Sequence, residues 1–338
     1  MARRPTITDI ATAAGVSVAT VSKAVNGRYG VAPETVEKVM RVVAEMGYES
    51  SLVASRMRGV RTGVVGVLVA EFEPFSAEVL KGVGAAAESH ELDVLAYSTP
   101  RRVHGAGWEN TSLARLAGSL IDGAIIVTPT VEAIVADIPV IAIDPHVGPG
   151  DGVPTVEADS FGGAVSAVKY LIELGHRRIG FVAGRPDLRS SRARDAGYRR
   201  ALSDAGIPYD SEVVRVGFYE QDAARTAALS LLDSPRRPTA VFAANDLSAI
   251  GIIEVAREIG LEVPRDLSVI GFDDVLEASR MSPPLTTVRQ PMRRLGAAAM
   301  SLLTTLMNGE EPPERHVRLA TQLIPRATTA PPRSSGER

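Results

Sequence analysis

The 338-residue chain contains no cysteine. Disulfide cross-links and thiolate metal sites are therefore excluded, and the fold must be held by packing and hydrogen bonding alone. Aromatic residues make up only 4% of the chain, which argues against a pocket that sandwiches a flat base between rings. No apolar run approaches the roughly 18 residues of a membrane span. Arg3 and Arg4 stand at the N-terminus, but Thr6, Thr8, Asp9 and Thr12 interrupt any apolar signal core behind them. A soluble, cytoplasmic protein is expected. The five histidines (His90, His104, His146, His176, His316) are scattered and never take metal-ligand spacing. His176, in LGHRRIGFVAG, falls in a helix-to-strand turn, where a structural hydrogen bond is the expected role. P-loop, G-x-S-x-G and H-E-x-x-H patterns are absent. Gly82, Gly84 and Ala87 fit G-x-G-x-x-A, but they lie inside a helical stretch instead of opening one after a strand, so close packing is their expected role. Nothing here supports catalysis, a metal or a cofactor.

Charge is unevenly spread. Residues 1–62 hold nine Lys/Arg and five Asp/Glu, a net of +4, whereas the remainder is net −7, giving the overall −3. A basic head on an acidic body is the pattern of a separate nucleic-acid-binding module. The length suggests about two domains with ample core material.

The head carries three short helical patterns over Ile7 to Tyr48. Thr8 is placed to cap a helix over Asp9 to Ala14, with Asp9 favouring its positive end. Gly15 supplies a turn, and Ser17 caps a second helix over Val18 to Val25. Two helices joined by a short Gly-containing turn form a helix-turn-helix, whose second helix enters the major groove. Ala11, Ala14, Val16, Val21 and Val25 suit a small shared core. Ser17, Thr20, Ser22, Lys23 and Asn26 remain outside, able to bond phosphates and bases. Val18 and Ala19 are apolar at the exposed tip, where a thymine methyl gives a reason for them. A third helix starts at Pro33, with Val36, Val39, Met40, Val43 and Met46 on one stripe, and Gly47 ends it.

From Thr62 onward, strand patterns (TGVVGVLVA, LDVLAYST, GAIIVTP, PVIAID, RRIGFVAG, EVVRVG, TAVFAAN, LSVIGFD) alternate with helical ones. That alternation implies parallel sheets covered on both faces, and about eight strands imply two doubly wound lobes. Ligands in such sheets sit beyond the carboxyl ends of the strands. Asn245 and Asp246 close one strand, Asp273 and Asp274 another, and Asp144 a third. Arg192 and Arg194 open the helix after RRIGFVAG. Helix capping is the competing role for each strand-end Asp or Asn. Together they suit the vicinal hydroxyls of a sugar, with Phe75, Phe218 and Tyr219 offering an apolar face for the ring.

The strings T-I-T-D-I-A-x-x-A-G-V-S, A-T-V-S-K-A-V-N-G, V-x-P-E-T-V-E-K-V and E-M-G-Y resemble the N-terminal domain of the LacI/GalR family of bacterial repressors. The resemblance runs from about residue 6 to 328. It implies an all-α helix-turn-helix head joined to an α/β core of two doubly wound parallel-sheet lobes, periplasmic-binding-protein-like. The implied domains are a DNA-binding head over 1–48, a hinge helix or linker over 49–61 and a bilobed effector-binding and dimerisation domain over 62–328. Lobe 1 would take about 62–160 and 291–320, lobe 2 about 161–290 and 321–328, and residues 329–338 would form a disordered tail. No apolar heptad follows, so a homodimer is expected.

The resemblance also implies a near-palindromic double-stranded operator as partner, with Thr6 among the DNA contacts. In the hinge, where the family pattern is roughly Y-x-P-N-x-x-A-x-x-L, this chain has Ser50, Ser51, Ala54 and Met57. Ser51, Ala54 and Met57 would meet the minor groove, Met being a side chain able to wedge between base steps. In the body, Arg194, Asn245 and Asp273 would anchor a small-molecule effector. Phe75 and Ser76 would join from one lobe, Tyr219 (or Phe218 beside it) from the other, and Thr128 and Asp144 complete the set. A sugar is the expected effector, for a repressor of carbohydrate-utilisation genes. Purine, nucleoside or protein cofactors, or a sugar-binding protein without a regulatory role, are the alternatives.

Overall fold

The computed structural model describes residues 5–25, 29–46, 61–98, 107–131, 133–146 and 152–333. The chain divides into two compact units, Met1–Thr62 and Gly63–Arg338.

In the first unit, α1 (Ile7–Ala14) is capped by Thr6, not by Thr8. The Thr6 side chain accepts from the Asp9 amide, and Asp9 Oδ2 accepts from the Thr6 amide at 2.7 Å. This reciprocal pair uses two otherwise orphaned donors, which a cap at Thr8 could not do with Asp9 beside it. Gly15 ends α1 in the left-handed region at φ 66°. α2 (Val18–Val25) follows, its first turn held by the Thr20 amide donating to Ser17 Oγ at 3.0 Å. α3 (Pro33–Met46) packs across both. Ile10, Ala11, Ala14, Val21, Ala24 and Val39 form the buried centre, with Val36, Val42 and Val43 against it. Met40 and Met46 are exposed. The expected stripe is corrected: so small a core admits only the face centred on Val39.

The second unit holds two six-stranded sheets. The first runs β11-β5-β4-β3-β1-β2 and is parallel throughout, with β1 (Val64–Val69) and β3 (Gly123–Val127) central and β2 (Asp93–Ser98) at one edge. β4 (Val140–Ile143), β5 (Thr155–Ala158) and β11 (His316–Leu319) complete it. The second runs β12-β10-β9-β8-β6-β7, with β6 (Ile179–Ala183), β7 (Val214–Val216), β8 (Ala240–Ala243), β9 (Ser268–Asp273) and β10 (Thr286–Arg289) parallel. Only β12 (Gln322–Ile324) runs antiparallel. The central strands are buried on both faces, as parallel sheets clad in helices require.

The chain passes between the sheets three times, after β5, after β10 and after β11. The helices that set the later geometry are α4 (Pro74–Glu88), α5 (Trp108–Leu116), α6 (Ser160–Glu173), α7 (Arg189–Asp204), α8 (Gln221–Leu232), α9 (Asp246–Glu258), α10 (Leu276–Arg280) and α11 (Met292–Met307). Four strands were absent from the strand patterns read in the sequence. β5, β10, β11 and β12 are three or four residues long and carry Thr, Gln, Glu, Arg or His, so no apolar run marks them.

Gly82 does serve packing. A Cβ there would lie 2.0 Å from the Arg293 carbonyl oxygen, and one on Gly296 would lie 2.2 Å from the Val79 carbonyl oxygen. α4 and α11 thus touch backbone to backbone. Gly84, by contrast, faces open space. His176 makes the expected structural bonds: Nδ1 pairs with Thr239 Oγ1 at 2.8 Å, and Nε2 lies 2.9 Å from the Ala330 carbonyl. That contact corrects the expectation of disorder for residues 329–333. The Ala330 amide donates to Ser268 Oγ and Arg333 reaches Asp266 at 2.7 Å, so residues 329–333 are fastened to the second sheet's base.

Gly82→Ala is expected to destabilise the body by about 1–3 kcal/mol, because neither neighbouring backbone can yield. Gly84→Ala, with no neighbour to meet, should be neutral or slightly stabilising. Urea unfolding followed by circular dichroism separates the two.

Candidate functional site

The carboxyl ends of both sheets converge on one cavity of about 60 Å³. Seven of the eight effector residues expected from the sequence line it: Phe75, Thr128, Asp144, Arg194, Tyr219, Asn245 and Asp273. Ser76 does not. It is buried in the first turn of α4 and faces a larger neighbouring chamber. Glu73, Leu188, Ser190 and Gln290 also line the cavity and were not anticipated. Gln290 follows β10, one of the unmarked strands, and Ser190 was available from its place in the first turn of α7.

Arg194 projects from α7 into the floor and is only 3% exposed. Its Nη1 donates to the Ala244 carbonyl, its guanidinium lies 3.8 Å from the centre of the Phe272 ring, and Asp273 Oδ1 stands 3.9 Å away. A buried cation needs such compensation, and the aromatic face supplies part of it. Its Nε has no protein partner, and the enclosed Tyr219 hydroxyl makes no well-formed hydrogen bond, although the Ser190 and Ser191 hydroxyls stand near it. Two directed polar groups therefore remain for a ligand to satisfy.

Asn245 has both of the roles weighed in the sequence. Its Oδ1 accepts from the Ser248 amide, capping α9, while Nδ2 donates to the Tyr219 carbonyl at 3.0 Å. Asp246 and Asp274 are structural. Asp246 accepts from Thr287 Oγ1 and the Val275 amide, and Asp274 accepts from Arg289 and Arg326. Arg192 bridges the lobes by donating to the His146 carbonyl at 3.1 Å.

Five residues around the site hold positive φ without being glycine: Thr128 (50°), Asp144 (50°), Phe218 (56°), Tyr219 (68°) and Asp273 (128°). Such conformations cost about 1–3 kcal/mol each and gather where side chains must be aimed. Gly184 makes room for one of them, since a Cβ there would lie 2.1 Å from the Tyr219 ring.

In the head, Val18 and Ala19 are exposed at the start of α2, and Lys23 is exposed along it. Ser17 and Thr20 bond each other at 2.8 Å on the same surface. Ser22 is half-buried on α2 and Thr6 half-buried at the mouth of α1. Asn26, Ser51, Ala54 and Met57 lie outside the described residues. No group of three or more His, Asp or Glu is placed to hold a metal among the described residues, and no helix there is long and apolar enough to cross a membrane.

Burial pushes Asp144 and Asp246 above the usual carboxylate range, and Asp273 up to about 6 even though Arg194 pulls it down. A raised carboxyl pKa means the folded state holds a proton that the unfolded chain has released. Asp273 therefore subtracts stability as pH rises from about 4 through about 6. In urea unfolding across that window, Asp273→Asn should gain stability over the parent progressively with pH. A constant difference between the two proteins would contradict this.

Residues 6–51 match the bacterial regulatory proteins of the lacI family, and residues 168–329 a periplasmic binding protein-like domain. The chain is 33% identical to catabolite control protein A of Priestia megaterium, over 96% of this chain and 99% of that one. It is 35% identical to the HTH-type transcriptional regulator CelR of Thermobifida fusca, over 96% and 98%. Among solved structures, it matches a lac repressor dimer bound to operator and the anti-inducer ONPF, with a TM-score of 0.85, 28% identity and coverage of 97% and 100%. A CelR–cellobiose complex matches with a TM-score of 0.73, 33% identity and coverage of 96% and 100%. With its helix-turn-helix head and two-lobed parallel-sheet body, the chain belongs to the LacI family of bacterial transcriptional regulators.

Proposed function

We propose that the protein is a homodimeric repressor of carbohydrate-utilisation genes whose grip on a near-palindromic operator is set by a sugar bound between the lobes. The observation that carries the sugar is the cavity's chemistry. A buried guanidinium with an open Nε, a phenol without a well-formed hydrogen bond, buried carboxyls and an amide offer alternating donors and acceptors, as vicinal hydroxyls require. The solved CelR complex with cellobiose supports the same reading.

On the DNA side, Val18 and Ala19 would meet base edges, with Ser17, Thr20, Ser22, Lys23 and Asn26 beside them on bases and phosphates and Thr6 at the backbone. Ser51, Ala54 and Met57 would enter the minor groove. A two-fold dimer matches a two-fold operator. Domain limits of 1–48, 49–61 and 62–328 fit this division of labour.

The test begins with an operator selected by the full-length protein from random duplexes, followed by fluorescence anisotropy. Removing residues 1–61 should abolish binding while the body stays folded. Ala19→Asp should weaken binding by placing a carboxylate against the acceptor-rich groove, and undiminished binding by either variant would refute the head's role. Asp273→Ala should retain operator binding but lose the sugar response, a coupling of about 1–3 kcal/mol in this class of switch. A normal response in that variant would remove Asp273 from the site.

A further inference from the structure

The two lobes meet over one histidine. His146 follows β4 in the first lobe, its amide donating to the Pro129 carbonyl at 3.1 Å, and only 7% of it is exposed. Its Nε2 is enclosed without a protein partner. An imidazole ordinarily titrates near about 6.5, so the surroundings of this ring decide whether it carries a charge.

Four charged groups face it among the described residues. Glu109 of α5 belongs to the same lobe. It is fully buried and accepts from Thr130 Oγ1 at 2.8 Å, so it keeps its place whatever the second lobe does. The other three come from the second lobe, from the segment that runs into α7. Asp187 Oδ2 lies 3.5 Å from His146 Nδ1, but Arg185 already holds both Asp187 oxygens, at 2.7 and 3.2 Å. Arg192 donates to the His146 carbonyl at 3.1 Å and is anchored through its other amino group on the Asp187 carbonyl at 2.7 Å. The second lobe thus sets two guanidinium groups and one carboxylate against the ring. It covers the imidazole yet brings no net negative charge to offset the lost water.

Burial is the largest influence on this ring and disfavours its charged form. Asp187 and Glu109 pull the pKa up, Arg185 and Arg192 push it down, and the balance lies below the ordinary value. Parting the lobes would return water to the ring and withdraw both arginines, while Glu109 stays. The open arrangement therefore holds the proton better than the closed one, and added protons favour the state that binds them.

We propose that His146 makes the contact between the lobes pH-sensitive: its protonation opens the cleft, so acidification opposes any ligand that binds by closing it. The switch goes beyond the sugar reading and does not depend on what the effector is.

The chain has no cysteine, so Phe72→Cys and Asp222→Cys, both exposed and on opposite lobes, give two unique sites for spin labels. Double electron–electron resonance on the full-length protein, with labelled chain diluted into unlabelled, then reads the separation of the lobes. From pH 7.5 to 5.5 the open-to-closed ratio should rise at least about twofold and at most about tenfold, the limit for one proton taken up one unit below about 6.5. His146→Gln and His146→Asn, neither of which can take a proton, should lose most of that rise and keep the parent's melting temperature at pH 7.5. Asp273, raised to about 6, titrates in the same window, and Asp273→Asn should keep the rise. An unchanged ratio in the parent, a shift towards closure on acidification, or an undiminished rise in both His146 variants would each overturn the switch. Loss of the rise in Asp273→Asn would overturn it too, by assigning the response to the cavity's carboxyl.

Discussion

A guanidinium fixed in the floor of the cleft governs this site. Arg194 is desolvated and only partly compensated, by one carbonyl, one aromatic face and a carboxylate beyond hydrogen-bonding distance. Around it, burial holds Asp144 and Asp273 towards their protonated forms. The protein's own groups thus leave two deficits: an Arg194 N–H without an acceptor, and buried carboxyls whose charge is only partly offset. The sheets bear that cost. Their buried central strands hold Thr128, Asp144 and Asp273 in left-handed conformations at the strand ends. A ligand offering paired hydroxyls would relieve both deficits if the two lobes presented their groups to it together. Such differential affinity is what lets a ligand shift a conformational equilibrium.

The contacts between the lobes sit next to this site. Arg192 of α7 donates to the His146 carbonyl, and Arg189 of the same helix pairs with Glu157 on β5. Asp187, just before α7, stands 3.5 Å from His146 Nδ1. Burial keeps the His146 pKa below its ordinary value, so at neutral pH this last contact lacks a full opposing charge. α7 therefore carries both Arg194, in the cavity, and two polar links to the opposite lobe at its start. Movement of that helix start would be felt at both places, which is the arrangement a hinge-type switch needs.

Much of this was legible in the sequence, and the omissions share one cause. Runs such as VVGVLV and SVIGFD mark strands buried on both faces, and the polar residue that ends each run marks the cleft. Asp144, Asn245 and Asp273 could be placed on that reasoning alone, and the family resemblance supplied Thr128. What escaped was carried by short strands: β10, TTVR, has no apolar run, so Gln290 beyond it could not be assigned, though it donates to Asp273 at 2.7 Å. Nor does residue type separate Phe75 from Ser76, which the first turn of α4 presents to different spaces. The head shows the same limit. Its helices follow from periodicity, but Thr6 and Thr8 are equally good caps by residue type. Only the return bond from Asp9 selects Thr6. The positive φ angles are invisible in sequence, since Thr, Phe and Tyr are not residues that advertise them.

The magnitudes are consistent with regulation by so few groups. A net hydrogen bond contributes about 0.5–1.5 kcal/mol, and one to a charged group about 1.5–3 kcal/mol. Satisfying Arg194 Nε and the Tyr219 hydroxyl would thus supply free energy on the scale of the 1–3 kcal/mol typical of allosteric coupling, provided the bonds form in one lobe arrangement and not the other. No deep reorganisation of either core is required. The close backbone contact of α4 with α11 at Gly82 and Gly296, and the tail pinned through His176, argue that each core moves as a block. The free energy of binding is then spent at the three chain crossings and the few polar bridges between blocks, where small displacements are cheapest.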